Sequence, residues 1–488
     1  MIRNIKNLLF ENIGTKQTIF KNTFWLIVAE IIIRALGLAV IIYAARILGA
    51  TEYGKFAFAL SFVSIIVIFA DLGLFDITTR ELSREKEKEK EYSAILSLKI
   101  ALSVAVLILI LVSSFFITSD FIIRKAIWFL GIFILITSFF NIIYAFLRAR
   151  QKMEYEAMSK IIQFLLISGL GLFILFTIPS VENLAYGYLI ANLISLILIL
   201  IFFHFFIQPL KLSYDRTIWK KFLKISWPIS LGFIAGWILV SVDSIMMGYF
   251  GQTAQVGWYN AAYKIIASVV ISATLISRSF YPALSRFFKE SKEKLQKIWN
   301  YQMELMIILA IPTTIGGFIF APKIINLFYG SGYNPSVYAF QFLVFVCAID
   351  FLYYPYAMAL VVSNQQKKNF GLLLTGIVIN IILNLALIPR YGFYGAAIAT
   401  IISSLIIFLL SIVFLKYFTP VSPFNLKLLK VLIMTIISSV VMFLVIRHPL
   451  IYNLNLFILI LIGGLVYFTS FFASRWFIGK IFLLKVKK

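Results

Sequence analysis

Charged residues and cysteine are both scarce in this chain. Only 13% of its 488 residues are Asp, Glu, Lys or Arg, whereas 62% are hydrophobic. The mean hydropathy is +0.98. Soluble globular domains carry about 25% charged residues, so this composition excludes such a domain. The single cysteine, Cys347, excludes a disulfide framework and a cysteine-based metal site.

The chain also lacks any hydrophilic stretch long enough to form a soluble domain between its apolar runs. These runs recur from end to end and are long enough for membrane-spanning helices, which need about 20 residues each. They are solidly apolar and do not alternate, which excludes transmembrane strands. The sequence therefore predicts an all-α integral membrane protein with about fourteen spanning helices. The predicted helices that carry the residues discussed below are helix one (18–46), two (53–78), seven (223–250), eight (256–283) and ten (336–362).

Basic residues greatly outnumber acidic ones, and the net charge is +24. In a soluble protein this excess would suggest nucleic acid as a partner. Here most of the Lys and Arg residues lie in every second loop, for example in segments 80–90, 211–224 and 286–297. That pattern is typical of the cytoplasmic face of a cell membrane. We therefore expect both termini in the cytoplasm, membrane lipids as partners and no nucleic acid.

A weak internal repeat divides the chain. The segments 21–25 (KNTFW) and 224–227 (KISW) each open an apolar helix that leads to a glycine-containing turn. These turns are 49–54 (GATEYG) and 251–257 (GQTAQVG). We expect an N-lobe of six helices over 1–210, a C-lobe of six helices over 211–418, and two further helices with a tail over 419–488. Transporters are often built from such repeats.

Several ionisable residues lie inside the apolar runs, where charge is costly and marks polar pathways. Glu30 and Arg34 are four residues apart on helix one and share a face. Asp71 lies on helix two, and Arg46 precedes the external turn between these helices. Each also has a structural interpretation. Glu30 and Arg34 either line a cavity or form a local structural pair. Asp71 either faces the cavity or caps the inner end of its helix. Arg46 either anchors the chain at the outer surface or guards the outer gate of the cavity.

The second half of the chain carries four more such charges. Asp243 on helix seven and Lys264 on helix eight fall at similar depths and could form a pair, static or acting as a latch between lobes. Arg278 either faces a cavity or reaches the inner headgroups. Asp350 on helix ten is either a protonated core acid or an ion site. Asp71, Asp243 and Asp350 are the candidates for coupling to a proton or sodium gradient.

Three segments resemble the polysaccharide flippase family of the multidrug/oligosaccharidyl-lipid/polysaccharide (MOP) exporter superfamily. They are 46–54 (RILGATEYG), 71–84 (DLGLFDITTRELSR) and 380–400 (NIILNLALIPRYGFYGAAIAT). The resemblance implies two pseudo-symmetric lobes around a cavity lined by helices one, two, seven and eight. It also implies a monomer that moves a lipid-linked oligosaccharide outward by alternating access, for cell-surface polysaccharide or glycan assembly.

Cationic groups in such a cavity suit this cargo. Moving a polyprenyl phosphate or pyrophosphate through hydrocarbon without its water is prohibitively costly, and Arg can replace that water with a bidentate contact. Arg34, Glu30, Arg46, Asp71, Asp243, Lys264 and Arg278 are therefore the candidate substrate-binding residues.

Three other functions compete with this interpretation. Multidrug antiporters of the MATE type share the superfamily, but they usually have twelve helices and less cationic cavities. Lipid II flippases share the architecture, although more first-lobe arginines would be expected there. A membrane glycan polymerase or ligase needs a sizeable loop for its acceptor, and none is present. The sequence also contains no Walker loop, GxSxG or HExxH motif, so we expect no enzyme activity, nucleotide or cofactor.

Overall fold

The computed structural model describes residues 10–84, 89–423 and 425–486. The regular secondary structure in these ranges is helical, without a β-strand. The predicted cytoplasmic cations Arg3, Lys6, Lys86, Lys88, Lys487 and Lys488 lie outside the described residues.

The helices follow one another with short connections. In chain order they are α1 (Thr15–Asp71), α2 (Leu74–Arg84), α3 (Glu89–Ile117), α4 (Phe121–Ala149), α5 (Met153–Thr177), α6 (Val181–Phe206), α7 (Arg216–Tyr249), α8 (Thr253–Glu290), α9 (Lys292–Tyr329), α10 (Asn334–Val362), α11 (Gln366–Tyr391), α12 (Phe393–Phe418), α13 (Leu426–Arg447), α14 (Pro449–Tyr452) and α15 (Leu456–Val486). A short 3-10 turn, Ser331–Tyr333, precedes α10.

Thirteen helical stretches in the described residues are long and apolar enough to cross a membrane. The first stretch contains two arms, because Gly49 interrupts α1 with φ 76° and ψ 171°. At 1.5 Å per residue, the arms 15–48 and 50–71 are about 51 Å and about 33 Å long, and each can span a bilayer alone. The prediction of an all-α, multi-pass membrane protein is therefore confirmed.

Polar side chains mark several helix starts, as expected where the first backbone N–H groups have no partner within the helix. The Asp120 carboxylate accepts a hydrogen bond from Ile122 N at 2.8 Å before α4, and Asp215 accepts one from Thr217 N at 2.8 Å before α7. These caps lie in short loops between apolar helices, so each apolar run begins at a defined residue.

The chain forms two compact units, Met1–Gly257 and Trp258–Lys488. In the first unit, side chains from α2, α3, α4, α6 and α7 build a core that includes Tyr92, Phe146, Phe203 and Phe222. In the second unit, α9, α10, α13 and α15 contribute Trp299, Tyr356, Leu428 and Phe471 to a core. The predicted boundaries of the two lobes and the tail remain predictions.

Candidate functional site

An exposed ion pair lies near the middle of the first arm of α1. Arg34 Nη2 contacts Glu30 Oε1 across one helical turn, and the two side chains are 49% and 53% exposed. The spacing predicted this shared face, and the structure shows the contact. An isolated exposed pair of this kind contributes little to stability in water. Its importance comes from its place within an apolar run, where an exposed charge favours a polar pathway over hydrocarbon.

Asp71 has a partner that its sequence neighbours do not reveal. It is the last residue of α1, and its Oδ1 lies 2.6 Å from Nζ of Lys99 on α3. Lys99 also donates to Ala70 O at 2.8 Å and to Ser138 Oγ, and its side chain is fully buried. Asn141 Nδ2 lies 3.4 Å from the other Asp71 oxygen.

This arrangement gives every hydrogen-bond donor of the Lys99 ammonium an acceptor. An ammonium group has three protons to donate, and three oxygen acceptors surround this one. A buried ion pair stabilises a fold only when its remaining polar groups are also satisfied, as they are here. Asp71 therefore joins α1 to α3 and, through Asn141, to α4. The sequence did offer one signal for Lys99, because it is the only charged residue in the run 92–117.

A second lysine whose ammonium has three acceptors, Lys21, holds the start of α1. Lys21 Nζ lies 2.7 Å from the Glu154 carboxylate and donates to Asn12 Oδ1 at 2.7 Å and to Gln151 O at 3.2 Å. Both Lys21 and Glu154 are buried. The nearby Asn22 amide donates to the Gln151 side chain at 2.7 Å. Lys21 therefore ties α1 to the start of α5, although its position in the sequence resembles that of a loop cation.

A third network joins α4 to α5. Arg148 binds the buried Glu156 carboxylate through two hydrogen bonds, Nε to Oε2 at 2.7 Å and Nη2 to Oε1 at 2.8 Å. Lys160 Nζ adds a contact of 2.7 Å to Oε1. Such paired contacts between a guanidinium and a carboxylate are among the stronger hydrogen bonds in proteins. The three networks together fix the predicted inner ends of α1, α3, α4 and α5.

The two glycine-containing turns of the sequence repeat pack directly against each other. Gly49 and Gly251 both have positive φ, 76° and 75°, which lets each turn open a new helical segment. A Cβ on Gly54 would collide with the Thr253 carbonyl oxygen, and one on Gly257 would collide with the Ala50 carbonyl oxygen. The contact is therefore reciprocal, and only glycine allows the backbones to approach this closely.

Beside this crossing, a polar pocket of about 470 Å³ opens between α1, the α3–α4 loop and the α7–α8 turn. Lys55 lies in it, with its Nζ 2.9 Å from Glu52 Oε1 and 3.5 Å from Asp120 Oδ2. Arg46 lies one turn before the break at Gly49 and is exposed. These groups occupy the end of the first unit that the charge pattern predicts to be external.

The remaining candidate residues are placed as follows. Asp243 lies buried on α7 in the first unit, between the buried Ser241 and Ser244. In the second unit, Lys264 and Asp350 are half-buried and Arg278 is exposed. The predicted pairing of Asp243 with Lys264 stays a prediction. Among the described residues, no group of three His, Cys, Asp or Glu side chains could hold a metal ion.

The third resemblance segment, 380–400, forms a helix hairpin in the second unit. The buried Asn384 amide donates to Asn380 Oδ1 at 3.0 Å, and Asn380 Nδ2 lies 3.5 Å from Ser403 Oγ on α12. A Cβ on Gly395 would meet the backbone of Leu387. The residues of this segment therefore hold α11 against α12.

Comparison with known proteins agrees with this picture. The family described as "polysaccharide biosynthesis protein" matches residues 19–288. The chain therefore belongs to this family.

Two curated relatives come from Haloferax volcanii. The chain is 28% identical over 278 residues to a probable flippase, AglR, with 54% of this chain and 55% of that protein covered. It is 23% identical over 171 residues to a probable low-salt glycan biosynthesis flippase, Agl15, with 35% and 36% covered. The matched regions thus span about half of the first relative and about a third of the second.

A solved structure of the lipid II flippase MurJ in an inward closed conformation has a similar fold. Its TM-score is 0.75 at 20% identity, and the match covers 93% of this chain and 99% of that one. At this identity the likeness shows the fold alone.

Proposed function

We propose that this member of the polysaccharide biosynthesis protein family is a flippase. Its cargo is an oligosaccharide on a polyprenyl phosphate or pyrophosphate, which it moves from the cytoplasmic to the outer leaflet by alternating access. The names of the Haloferax relatives support the flippase activity, and the family description supports a glycan as cargo. The protein acts in the plasma membrane as a monomer, with both termini cytoplasmic.

The exposed Glu30–Arg34 pair is the observation that carries this proposal. The carrier phosphate must cross a region where losing its water is costly, and a guanidinium supplies two directed donors in place of that water. Glu30 pairs with Arg34 when no cargo is bound, and the carrier phosphate can take its place on the exposed guanidinium. Arg46, Lys264 and Arg278 serve as further contacts for an anionic, sugar-bearing headgroup.

For coupling to a proton or sodium gradient, we propose Asp350 ahead of Asp71, and Asp243 stays a further candidate. Lys99 already neutralises Asp71 at 2.6 Å, which opposes the binding of another cation there. Asp71 instead positions the end of α1 through its contacts with α3 and α4.

The reciprocal glycine contact has a place in the same mechanism. Alternating access requires a contact at one membrane face that can form and separate without leaving buried polar groups unpaired. The contact of 49–54 with 251–257 brings backbones together through glycines and needs no long side chain to be reordered. We propose it as the element that closes the outer face.

The test is transbilayer movement in proteoliposomes that contain the purified protein. A fluorescent polyprenyl-pyrophosphate oligosaccharide is loaded, and the fraction that crosses is measured with no gradient, a pH gradient or a sodium gradient. The proposal expects faster crossing than in protein-free vesicles under at least one condition. Export of small organic cations with no glycolipid movement under any gradient would instead support the MATE-type antiporter.

The orientation has its own test, because Cys347 is the only cysteine. In a Cys347→Ala background, Ser213→Cys should react only with a membrane-permeant thiol reagent in intact cells. Ser119→Cys should react with an impermeant one. The reverse labelling would overturn the proposed topology.

A further inference from the structure

A basic cleft in the second unit is not used by the proposed transport mechanism. It lies between the start of α9, the end of α12 and the linker 419–423, and its volume is about 750 Å³. Lys292, Lys297, Lys416 and Lys427 line it, together with Glu293 as the single acid. The cleft therefore has a formal excess of positive charge.

Three of the four lysines have no acidic partner in the described part of the chain. Lys427 Nζ lies 3.0 Å from Glu304 Oε2. No described carboxylate lies within 4 Å of the ammonium of Lys292, Lys297 or Lys416. These three ammonium groups are the ones available to an anion, since lysine binds phosphate as a point charge.

The floor of the cleft is fixed by the Gln296 side chain. Its Oε1 accepts from Ser422 N at 2.7 Å, while its Nε2 donates to Ser422 O at 3.1 Å and to Asn300 Oδ1 at 2.9 Å. Val421 is buried in the core of the second unit. The linker 419–423 is thus held against α9, and this contact fixes the shape of the cleft between the lysines on either side of the linker.

The surroundings of the cleft indicate a lipid as its occupant. Lys416 lies near the end of α12 and Lys427 at the start of α13, and both helices are long and apolar enough to span a membrane. Next to them, the side chains of Tyr417 and Leu426 are 73% and 66% exposed. An apolar rim beside lysines at the end of a spanning helix is typical of the level of the lipid headgroups.

We propose that this cleft binds the headgroup phosphate of an anionic membrane phospholipid. Its ammonium groups neutralise the phosphodiester, and the acyl chains lie along the exposed apolar rim of α12 and α13. The bound lipid holds the start of α9 and the linker 419–423 to the predicted inner leaflet. This site is independent of the glycan cargo, and it exists whether or not the protein is a flippase.

The test uses the full-length purified protein in a neutral detergent. Binding of short-chain phosphatidylglycerol is measured by native mass spectrometry, with phosphatidylcholine of the same chain length as the zwitterionic reference. The cleft variant combines Lys292→Gln, Lys297→Gln and Lys416→Gln. A matched control combines Lys211→Gln, Lys220→Gln and Lys224→Gln, three exposed lysines of the first unit. A Lys→Arg version of the cleft variant keeps the charge.

The proposal expects one preferentially bound phosphatidylglycerol per protein, weakened at least about tenfold in the cleft variant. The control variant and the Lys→Arg variant should bind as the wild type does. Equal weakening in the control would reduce the effect to general surface charge and overturn the site. Saturable binding of a polyprenyl phosphate but not of phosphatidylglycerol would overturn the phospholipid assignment in favour of the carrier lipid. Displacement by inorganic phosphate at equal concentration would assign the cleft to a free anion.

Discussion

Charged side chains are used differently in the two compact units. In the first unit, Lys21, Lys99 and Glu156 are fully buried, and each is surrounded by oppositely charged or hydrogen-bonding partners. In the second unit, the acid–base contacts of Glu304 involve two mainly exposed cations, Lys427 and Arg475, and three of the four lysines in the basic cleft have no acidic partner in the described part of the chain. Buried charges therefore join helices in the first unit, whereas exposed lysines of the second unit remain available to a ligand.

This difference shows that a charge in an apolar helix has to be judged by its partners. A buried ammonium with three acceptors contributes to the fold and is a poor candidate for binding cargo. An exposed pair such as Glu30–Arg34 contributes little to the fold and can change partners.

The largest loss of stability is expected from Lys99→Met. This change leaves the Asp71 carboxylate without its cation and removes the donor to Ala70 O and Ser138 Oγ. Breaking one side of a buried pair costs about 3–5 kcal/mol, and we expect the lower end because Asp71 is 29% exposed. Equilibrium unfolding in mixed SDS micelles measures the difference.

Two control variants sharpen this prediction. Lys416→Met, at an exposed position of the second unit, should change the free energy of unfolding by less than about 0.5 kcal/mol. The double variant Asp71→Asn/Lys99→Met should be more stable than Lys99→Met alone, because no unpaired carboxylate remains. Equal stabilities for Lys99→Met and Lys416→Met would remove the distinction between the two units.

A smaller difference is expected between Glu156→Gln and Glu304→Gln. Glu156 binds Arg148 and Lys160, which are each only 28% exposed. In Glu156→Gln these cations lose a charged acceptor and water cannot replace it, so we expect the free energy of unfolding to fall by about 2 kcal/mol. Glu304 binds Lys427 and Arg475, which are 60% and 55% exposed and can turn to solvent. We therefore expect Glu304→Gln to lower the free energy of unfolding by about 1 kcal/mol or less. The same unfolding measurement compares them, and a greater loss for Glu304→Gln would contradict the argument.

The smallest change in stability is expected from Arg34→Gln. Because the Glu30–Arg34 pair is exposed and lies within one helix, its loss should cost less than about 1 kcal/mol. Unfolding of this variant, measured beside Lys99→Met, separates a binding charge from a structural one. A loss as large as that of Lys99→Met would make Glu30–Arg34 a structural pair.

Local sequence spacing was enough to predict some of these features. Apolar runs give the number and approximate place of the spanning helices, because each run must satisfy its backbone within itself. The four-residue spacing gives the Glu30–Arg34 contact directly, since helix periodicity is the only information that it needs.

The contacts between helices required the fold. Asp71 and Lys99 are 28 residues apart, and Lys21 and Gln151 are 130 apart, so no local pattern brings them together. The segments that resemble the polysaccharide flippases contain turns and close backbone approaches, as at Gly54 and Gly395. The residues that carry the family resemblance therefore determine the fold, and they do not by themselves reveal what the protein binds.

The most direct test of the account compares two exposed pairs with the same chemistry in the proteoliposome transport assay. Glu30–Arg34 lies near the middle of an apolar arm, whereas Arg286–Glu290, also four residues apart, lies at the end of α8. We expect Arg34→Gln to slow oligosaccharide-lipid movement at least about tenfold, as loss of one charge-assisted phosphate contact should, and Arg286→Gln to leave it unchanged. Equal rates for the wild type and both variants would contradict the claim that Arg34 carries the cargo's phosphate.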